Sequence, residues 1–168
     1  MPQTEIDVRE KTRVALRRLL SADFDLVEDR TNEHSLGGRL ARYIERDLGE
    51  AYKVDSDYNR HRGKVKRLEG HAISVDIVVH ERRHDRRNLL AIEMKEAGRP
   101  AQEDIDDSDR LRKMTDKTRM PIEERYGYDN GLFVKFLNDP HRGMYARLSW
   151  FKNGADDGLE ILYPENGD

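Results

Sequence analysis

Two apolar segments separated by a short polar stretch constrain the fold more than any other feature of this sequence. Residues 72–80 read AISVDIVVH, residues 89–95 read LLAIEMK, and only polar residues lie between them. Aliphatic and β-branched runs of this length are typical of strands in the interior of a sheet. The polar stretch ERRHDRRN (81–88) can turn the chain, so we expect the two segments to pair as an antiparallel hairpin.

The charged residues of these two strands converge if the turn is centred between His84 and Asp85. The residue numbers of opposed positions then sum to 169, so Asp76 faces Glu93. Directly opposed side chains have Cβ atoms about 4.5–5.5 Å apart. Strand alternation puts Lys95 on the same face as Glu93, and a slip of one residue would separate all three. The other face is expected to be wholly apolar, with Ile73, Val75, Ile77, Val79, Leu90, Ile92 and Met94.

Two adjacent carboxylates with a lysine beside them are the components of a metal-assisted phosphodiester hydrolase. Carboxylates this close repel each other unless a cation lies between them, and their hard oxygens suit Mg²⁺ or Mn²⁺. Lys95 can hold a nucleophilic water or neutralise a phosphoryl oxygen as it becomes negative. The alternative is structural, namely a cross-strand ion pair of Lys95 with Asp76 or Glu93 on a half-exposed sheet.

The other segments predict an α/β fold. Helices are expected over residues 4–21, 32–49 and 101–118, and further strands over 52–58, 131–137 and 144–152, with 60–70 as a loop. The acidic run of Asp104, Asp106, Asp107 and Asp109 is expected to cap a helix or face solvent. With 168 residues, this order predicts a single domain whose mixed central β-sheet is flanked by helices.

Composition limits the classes of function. The net charge is −3, so any contact with nucleic acid has to come from local basic patches. The stretch RHRGKVKR (60–67) is such a patch, and the alternative is a solvated loop tip. No cysteine, signal peptide or membrane-spanning run is visible, so we expect a cytoplasmic protein without membrane partners. The nucleic-acid contacts predicted from the patch are Arg60, Arg62, Lys64, Lys66 and Arg67.

The pattern VDIVVH followed by NLLAIEMK resembles the core of the PD-(D/E)xK, or restriction-endonuclease-like, nuclease superfamily. Asp76 matches the aspartate of the motif, Glu93 its acidic residue and Lys95 its lysine. Glu33 stands where the family commonly carries a glutamate on an N-terminal helix, although the helix dipole alone would also favour a glutamate there. Val75 replaces the proline of the motif, a position that supplies no ligand. The resemblance covers residues 30 to 137.

The resemblance implies an αβββαβ core, with the helix at 4–21 and the strand at 144–152 as additions. It implies a nuclease that uses Mg²⁺ or Mn²⁺, with DNA favoured over RNA as the substrate. Asp76, Glu93 and Glu33 would then be metal ligands, and Lys95 a catalytic residue. Cutting both strands of a duplex would call for a homodimer or a larger complex. The alternative function is a non-catalytic nucleic-acid-binding or assembly subunit that keeps the nuclease fold within a larger complex.

Overall fold

A six-stranded mixed β-sheet forms the centre of the protein in a computed structural model that describes residues 7–28, 33–58, 60–61, 64–81 and 87–165. The strands of the chain are β1 (Tyr52–Tyr58), β2 (Arg60–His61), β3 (Lys64–Val65), β4 (Arg67–Leu68), β5 (His71–Ala72), β6 (Val75–Glu81), β7 (Asn88–Lys95), β8 (Asn130–Asp139), β9 (Gly143–Lys152) and β10 (Ala155–Leu162). The order of strands in the central sheet is β1-β6-β7-β8-β9-β10. In this sheet β7 and β8 run parallel, and the other neighbours are antiparallel.

Helices cover both faces of this sheet, as the sequence predicts. They are α1 (Val8–Ala22), α2 (Phe24–Glu28), α3 (Glu33–Leu48) and α4 (Ala101–Thr115). The Asp7 side chain caps α1 by accepting a hydrogen bond from the Glu10 amide at 3.1 Å. Gly49, with φ +76°, follows the last residue of α3, where the left-handed conformation suits glycine. Within the described ranges, no helix is both long enough and apolar enough to cross a bilayer.

The larger part of the core lies between the sheet and the helix pair α1 and α3. Ile77 and Val79 of β6 and Leu90, Ile92 and Met94 of β7 are completely buried there. Trp150 of β9 belongs to the same cluster. Because every second residue of the two central strands points to this side, the opposite face is left for α4.

The α4 face of the sheet shows one departure from the predicted alternation. Val75 packs on this face with Val78 and Ala91, and Ile73 packs against the same cluster, so their predicted placement beside Ile77 is wrong. β1 and β6 pair at Ser56 with Ile77 and at Tyr58 with Val75, but the pair between them is missing. Asp57 has φ +51° at this point, so the strands lose their regular pleat. The strict alternation of side chains between the two faces of the sheet is therefore interrupted here.

Several elements differ from those expected. The stretch 60–70, predicted to be a loop, contains β2, β3 and β4. β2 pairs with β3, and β4 pairs with β5, through two-residue ladders too short to give a periodic pattern. Ala72 therefore belongs to β5, and β6 begins only at Val75. α2 and β10 were not expected. β10 contains Gly158 at a register shift and carries mostly exposed side chains, so its sequence lacks the apolar alternation of a strand.

Candidate active site

The register of the central hairpin agrees with the sequence prediction. Ile77 pairs with Ile92, Val78 with Ala91 and Val79 with Leu90, so each pair sums to 169 before a bulge shifts the next pair. Continued by one residue, the same register would bring Asp76 opposite Glu93, but the ladder ends at the pair of Ile77 and Ile92. Beyond that pair, the Met94 amide donates a hydrogen bond to Asp76 Oδ2 at 2.7 Å. The Asp76 carboxylate is thereby fixed against β7, next to Glu93.

Glu93 is a buried carboxyl with a perturbed pKa. Its side chain is 3% exposed, and Arg110 Nη1 of α4 donates a hydrogen bond to Glu93 Oε1 at 2.7 Å. Burial raises the pKa of Glu93 well above its ordinary value, and the negative charge of Asp76 is the second largest cause of this shift. A positive charge shared by the two carboxylates would favour the ionised form of Glu93. In the described structure, the guanidinium of Arg110 supplies part of this positive charge.

Lys95 lies at the end of β7 and contacts α4 through Asp107. Its Nζ is 3.3 Å from Asp107 Oδ2, and Arg110 Nη1 is 3.4 Å from Asp107 Oδ1. Asp107 is 5% exposed, so the expectation that the acidic run 104–109 faces solvent or caps the helix is wrong for this residue. Helix α4 thus supplies a cation, Arg110, that pairs with Glu93, and a carboxylate, Asp107, that pairs with Lys95.

Asp107 and Arg110 are the two residues of this cluster that the sequence reasoning missed. The helical spacing predicts that Asp107 is buried, because it shares a helix face with Leu111 and Met114, four and seven residues later, which are both buried. Arg110 follows Asp107 by three residues and borders the same face. The high density of charge around them in the sequence hid this pattern.

Lys66 does not lie on the surface, which corrects its prediction as a nucleic-acid contact. It is 1% exposed, and its Nζ donates a hydrogen bond to the Tyr128 hydroxyl at 2.7 Å. The ammonium lies 4.5 Å, 5.6 Å and 5.1 Å from the ring centroids of Tyr58, Tyr126 and Tyr128. Burial lowers the pKa of Lys66 to about 7, although the negative charges of Glu93 and Asp55 oppose that shift.

The other predicted nucleic-acid contacts are only partly described. Lys64 and Arg67 are exposed, and the Arg67 guanidinium donates to the Gly70 carbonyl at 2.9 Å. Arg60 begins β2, but its side chain lies outside the described part, and Arg62 lies wholly outside it. Two of the five predicted cations are therefore placed where a phosphate backbone could reach them.

Glu33 is the first residue of α3, and its side chain lies outside the described residues. The helix itself packs over the same end of the hairpin, because a Cβ at Gly37 would be 4.0 Å from both the Asp76 carbonyl oxygen and Met94 Cε. Residues four apart share a helix face, so the backbone of Glu33 lies one turn before this contact. The role of Glu33 as a ligand stays a prediction.

The described carboxylates provide only part of the ligand set that a divalent cation needs. Among the described side chains, no group of three or more His, Asp or Glu residues is arranged to hold a metal ion. Asp76 and Glu93 supply a pair of carboxylates, and the third predicted ligand, Glu33, is not among those side chains. Carboxylate oxygens are the ligands that Mg²⁺ and Mn²⁺ prefer, so the pair fits such an ion by its chemistry.

Comparison with known proteins identifies no relative for this chain. No protein-family model, no curated protein and no solved structure matches it. Membership of the nuclease superfamily that β6 and β7 resemble therefore stays a prediction. The arrangement of the side chains is the remaining guide to function.

Proposed function

We propose that this protein is a metal-dependent nuclease with a restriction-endonuclease-like core, and that its substrate is DNA rather than RNA. The single observation that carries the proposal is that Asp76 Oδ2 accepts a hydrogen bond from the Met94 amide, between Glu93 and Lys95 on β7, and that the negative charge of Asp76 acts on Glu93. Two carboxylates that suit a divalent cation, with a lysine that can neutralise a phosphoryl oxygen, are groups that metal-assisted phosphodiester cleavage can use.

Each residue has a distinct role in this proposal. Bound Mg²⁺ or Mn²⁺ would polarise the phosphoryl oxygen and lower the pKa of a water molecule. Asp76 and Glu93 would hold the ion, and the Met94 amide keeps Asp76 in place. Lys95 stabilises the negative charge that develops on the phosphate, and Asp107 holds its ammonium in position. Glu33 supports the same site.

The proposed substrate contacts are the two exposed cations on either side of the buried Lys66 in the sequence. Lys64 and Arg67 neutralise backbone phosphates, which orients the strand without reading its sequence. Duplex cleavage on both strands would require two copies of the site, and a homodimer is the simplest way to supply them.

The proposal is tested by metal-dependent cleavage of DNA and RNA substrates in Mg²⁺, Mn²⁺ and EDTA. Asp76→Ala and Lys95→Ala should each reduce cleavage by at least a hundredfold, while circular dichroism shows that both variants stay folded. Arg46→Ala removes an exposed cation at the end of α3 and should leave the rate unchanged. Full activity in either Asp76→Ala or Lys95→Ala would refute the mechanism.

A second candidate is a non-catalytic subunit that keeps this fold and binds nucleic acid or assembles with other chains. The observation that favours it is the pairing of Glu93 with Arg110 and of Lys95 with Asp107, since these contacts balance charge within the chain itself. Titration with Mn²⁺ distinguishes the two candidates. A rise in melting temperature that Asp76→Ala abolishes, without cleavage of any DNA or RNA, would favour the subunit.

A further inference from the structure

A second charged cleft lies at the other end of the sheet. It has a volume of about 640 Å³ and includes Leu89 at the start of β7, whereas Glu93 lies four residues further along that strand. Four residues of extended chain span about 13 Å. The start of β8 and the end of β9 border the cleft through Asn130 and Lys152. The cleft is therefore separate from the cluster around Glu93.

Two of the four cations in the lining of this cleft are already held by carboxylates. Arg9 Nη2 of α1 is 2.5 Å from Asp157 Oδ2, and Arg9 Nε donates to Asn130 Oδ1 at 2.7 Å. Lys117 Nζ is 2.6 Å from Asp129 Oδ1. These contacts fix two walls of the cleft, and they use the positive charge of both side chains.

Arg87 and Lys152 are the other two cations of the lining, and both are exposed. Across the described ranges, no carboxylate lies within ion-pair distance of either side chain. Asp7 also lines the cleft, but its carboxylate accepts the Glu10 amide as the cap of α1. Two positive charges thus remain available to a ligand from solvent.

The rest of the lining includes three side chains of the core. Val8, Tyr52 and Leu89 are 6%, 8% and 6% exposed, so each offers only a small surface to the cleft. A volume of this size falls within the ordinary range for small-molecule sites, about 300–1,000 Å³. A flat or apolar group of nucleoside size can rest against these three residues while an anion reaches the two cations.

We propose that this cleft binds a phosphate monoester of nucleotide size, with its phosphate between Arg87 and Lys152 and its organic part against Val8, Tyr52 and Leu89. A phosphate monoester carries about −1.5 to −2 charges at pH 7, which matches two cations better than a carboxylate or an internal phosphodiester does. The ligand source is a free mononucleotide or the phosphorylated end of a nucleic-acid strand. This site goes beyond the proposed nuclease function and does not depend on it.

The test is calorimetric titration of the full chain with a nucleoside 5′-monophosphate, with inorganic phosphate, and with a short oligonucleotide that carries or lacks a 5′-phosphate. We expect saturable binding of the monophosphate, at least fivefold tighter than inorganic phosphate. Arg87→Ala and Lys152→Ala should each weaken it at least tenfold. Arg46→Ala, an exposed cation elsewhere, and Asp76→Ala, in the proposed active site, should leave the affinity unchanged.

Each outcome of this titration decides the proposal. A preference for the 5′-phosphorylated oligonucleotide over the free nucleotide identifies a strand end as the source, and the reverse identifies a mononucleotide. The absence of saturable binding, an unchanged affinity in both Arg87→Ala and Lys152→Ala, or an equal loss in Arg46→Ala would overturn the proposal. Equal affinity for inorganic phosphate and the nucleotide would also overturn it, because the apolar wall would then contribute nothing. Loss of cleavage in Asp76→Ala with unchanged nucleotide binding shows that the two sites are independent.

Discussion

Replacing Lys66 by methionine should change the dependence of stability on pH. Burial lowers the pKa of the ammonium from 10.5 to about 7 in the folded protein. Between those two pH values the unfolded chain holds more protons than the folded one, so the free energy of unfolding rises with pH. This single group should contribute about 2.5 kcal/mol of added stability between pH 6 and pH 9. Methionine has a similar length, keeps contacts with the tyrosine rings and does not titrate.

The measurement is urea denaturation of the wild type and of Lys66→Met at pH 6, 7.5 and 9. The stability of Lys66→Met relative to the wild type should be highest at pH 6 and should fall by about 2.5 kcal/mol by pH 9. The series stops at pH 9 because burial also raises the pKa of Tyr128, and tyrosines of the unfolded chain begin to titrate above that value. Loss of the hydrogen bond to Tyr128 shifts the variant by a constant amount and does not alter the slope.

Lys64→Met is the matched control, because Lys64 is an exposed lysine two residues earlier in the same segment. Its stability should follow the wild type in parallel at all three pH values. If the free energy of unfolding of Lys66→Met also changes with pH in parallel with that of the wild type, the reasoning is refuted. Lys66 would then keep an ordinary pKa, and burial among the three tyrosines would not penalise its charged form.

Two further predictions concern packing and the buried acid. Gly131→Ala should destabilise the protein by about 1–3 kcal/mol in urea denaturation, because the added Cβ would lie 3.1 Å from Thr115 Cγ2 and 3.3 Å from Leu111 Cβ. Gly38→Ala in α3 meets no atom within 4 Å and should stabilise by about 0.5–1 kcal/mol, so equal effects of both changes would contradict the packing described. Glu93→Gln, measured without divalent cations, should gain stability relative to the wild type as pH rises from 4.5 to 8. The raised pKa of Glu93 means that the folded wild type loses stability as its carboxyl ionises, and a constant difference across that pH range would refute the pKa shift.

The central hairpin could be predicted because its signal is local. Two apolar runs of similar length and one polar turn fixed the pairing register, and three observed residue pairs agree with it. The helices over residues 8–22 and 33–48 were predicted for a related reason, since each carries a helical stripe of leucines that packs on the sheet. These elements follow from the period of the apolar residues alone.

The rest depended on contacts that no local pattern encodes. Lys66 lies in a basic stretch that looks solvated, but residues more than fifty positions later, Tyr126 and Tyr128, enclose it. Asp107 lies among acids that look like a surface run, and only packing of α4 on β7 brings it to Lys95. β10 is a strand because β9 offers it an edge, since its own sequence has little apolar alternation.

The crossover from β7 through α4 to β8 determines how the charged cluster can be assembled. Among the described side chains, its hydrogen-bonded and ion-paired members come from Asp76 on β6 and from the stretch between residues 93 and 110 that ends β7 and enters α4. Closing the hairpin brings them together across a short loop, and the entropy of closure grows only slowly with loop length. Helix α4, which supplies Asp107 and Arg110, is also held against β10 by the ion pair of Arg112 with Asp156 at 2.7 Å. Truncation or rearrangement of the C-terminal strands would then remove part of the support of α4 and, through it, disturb the arrangement of these charges.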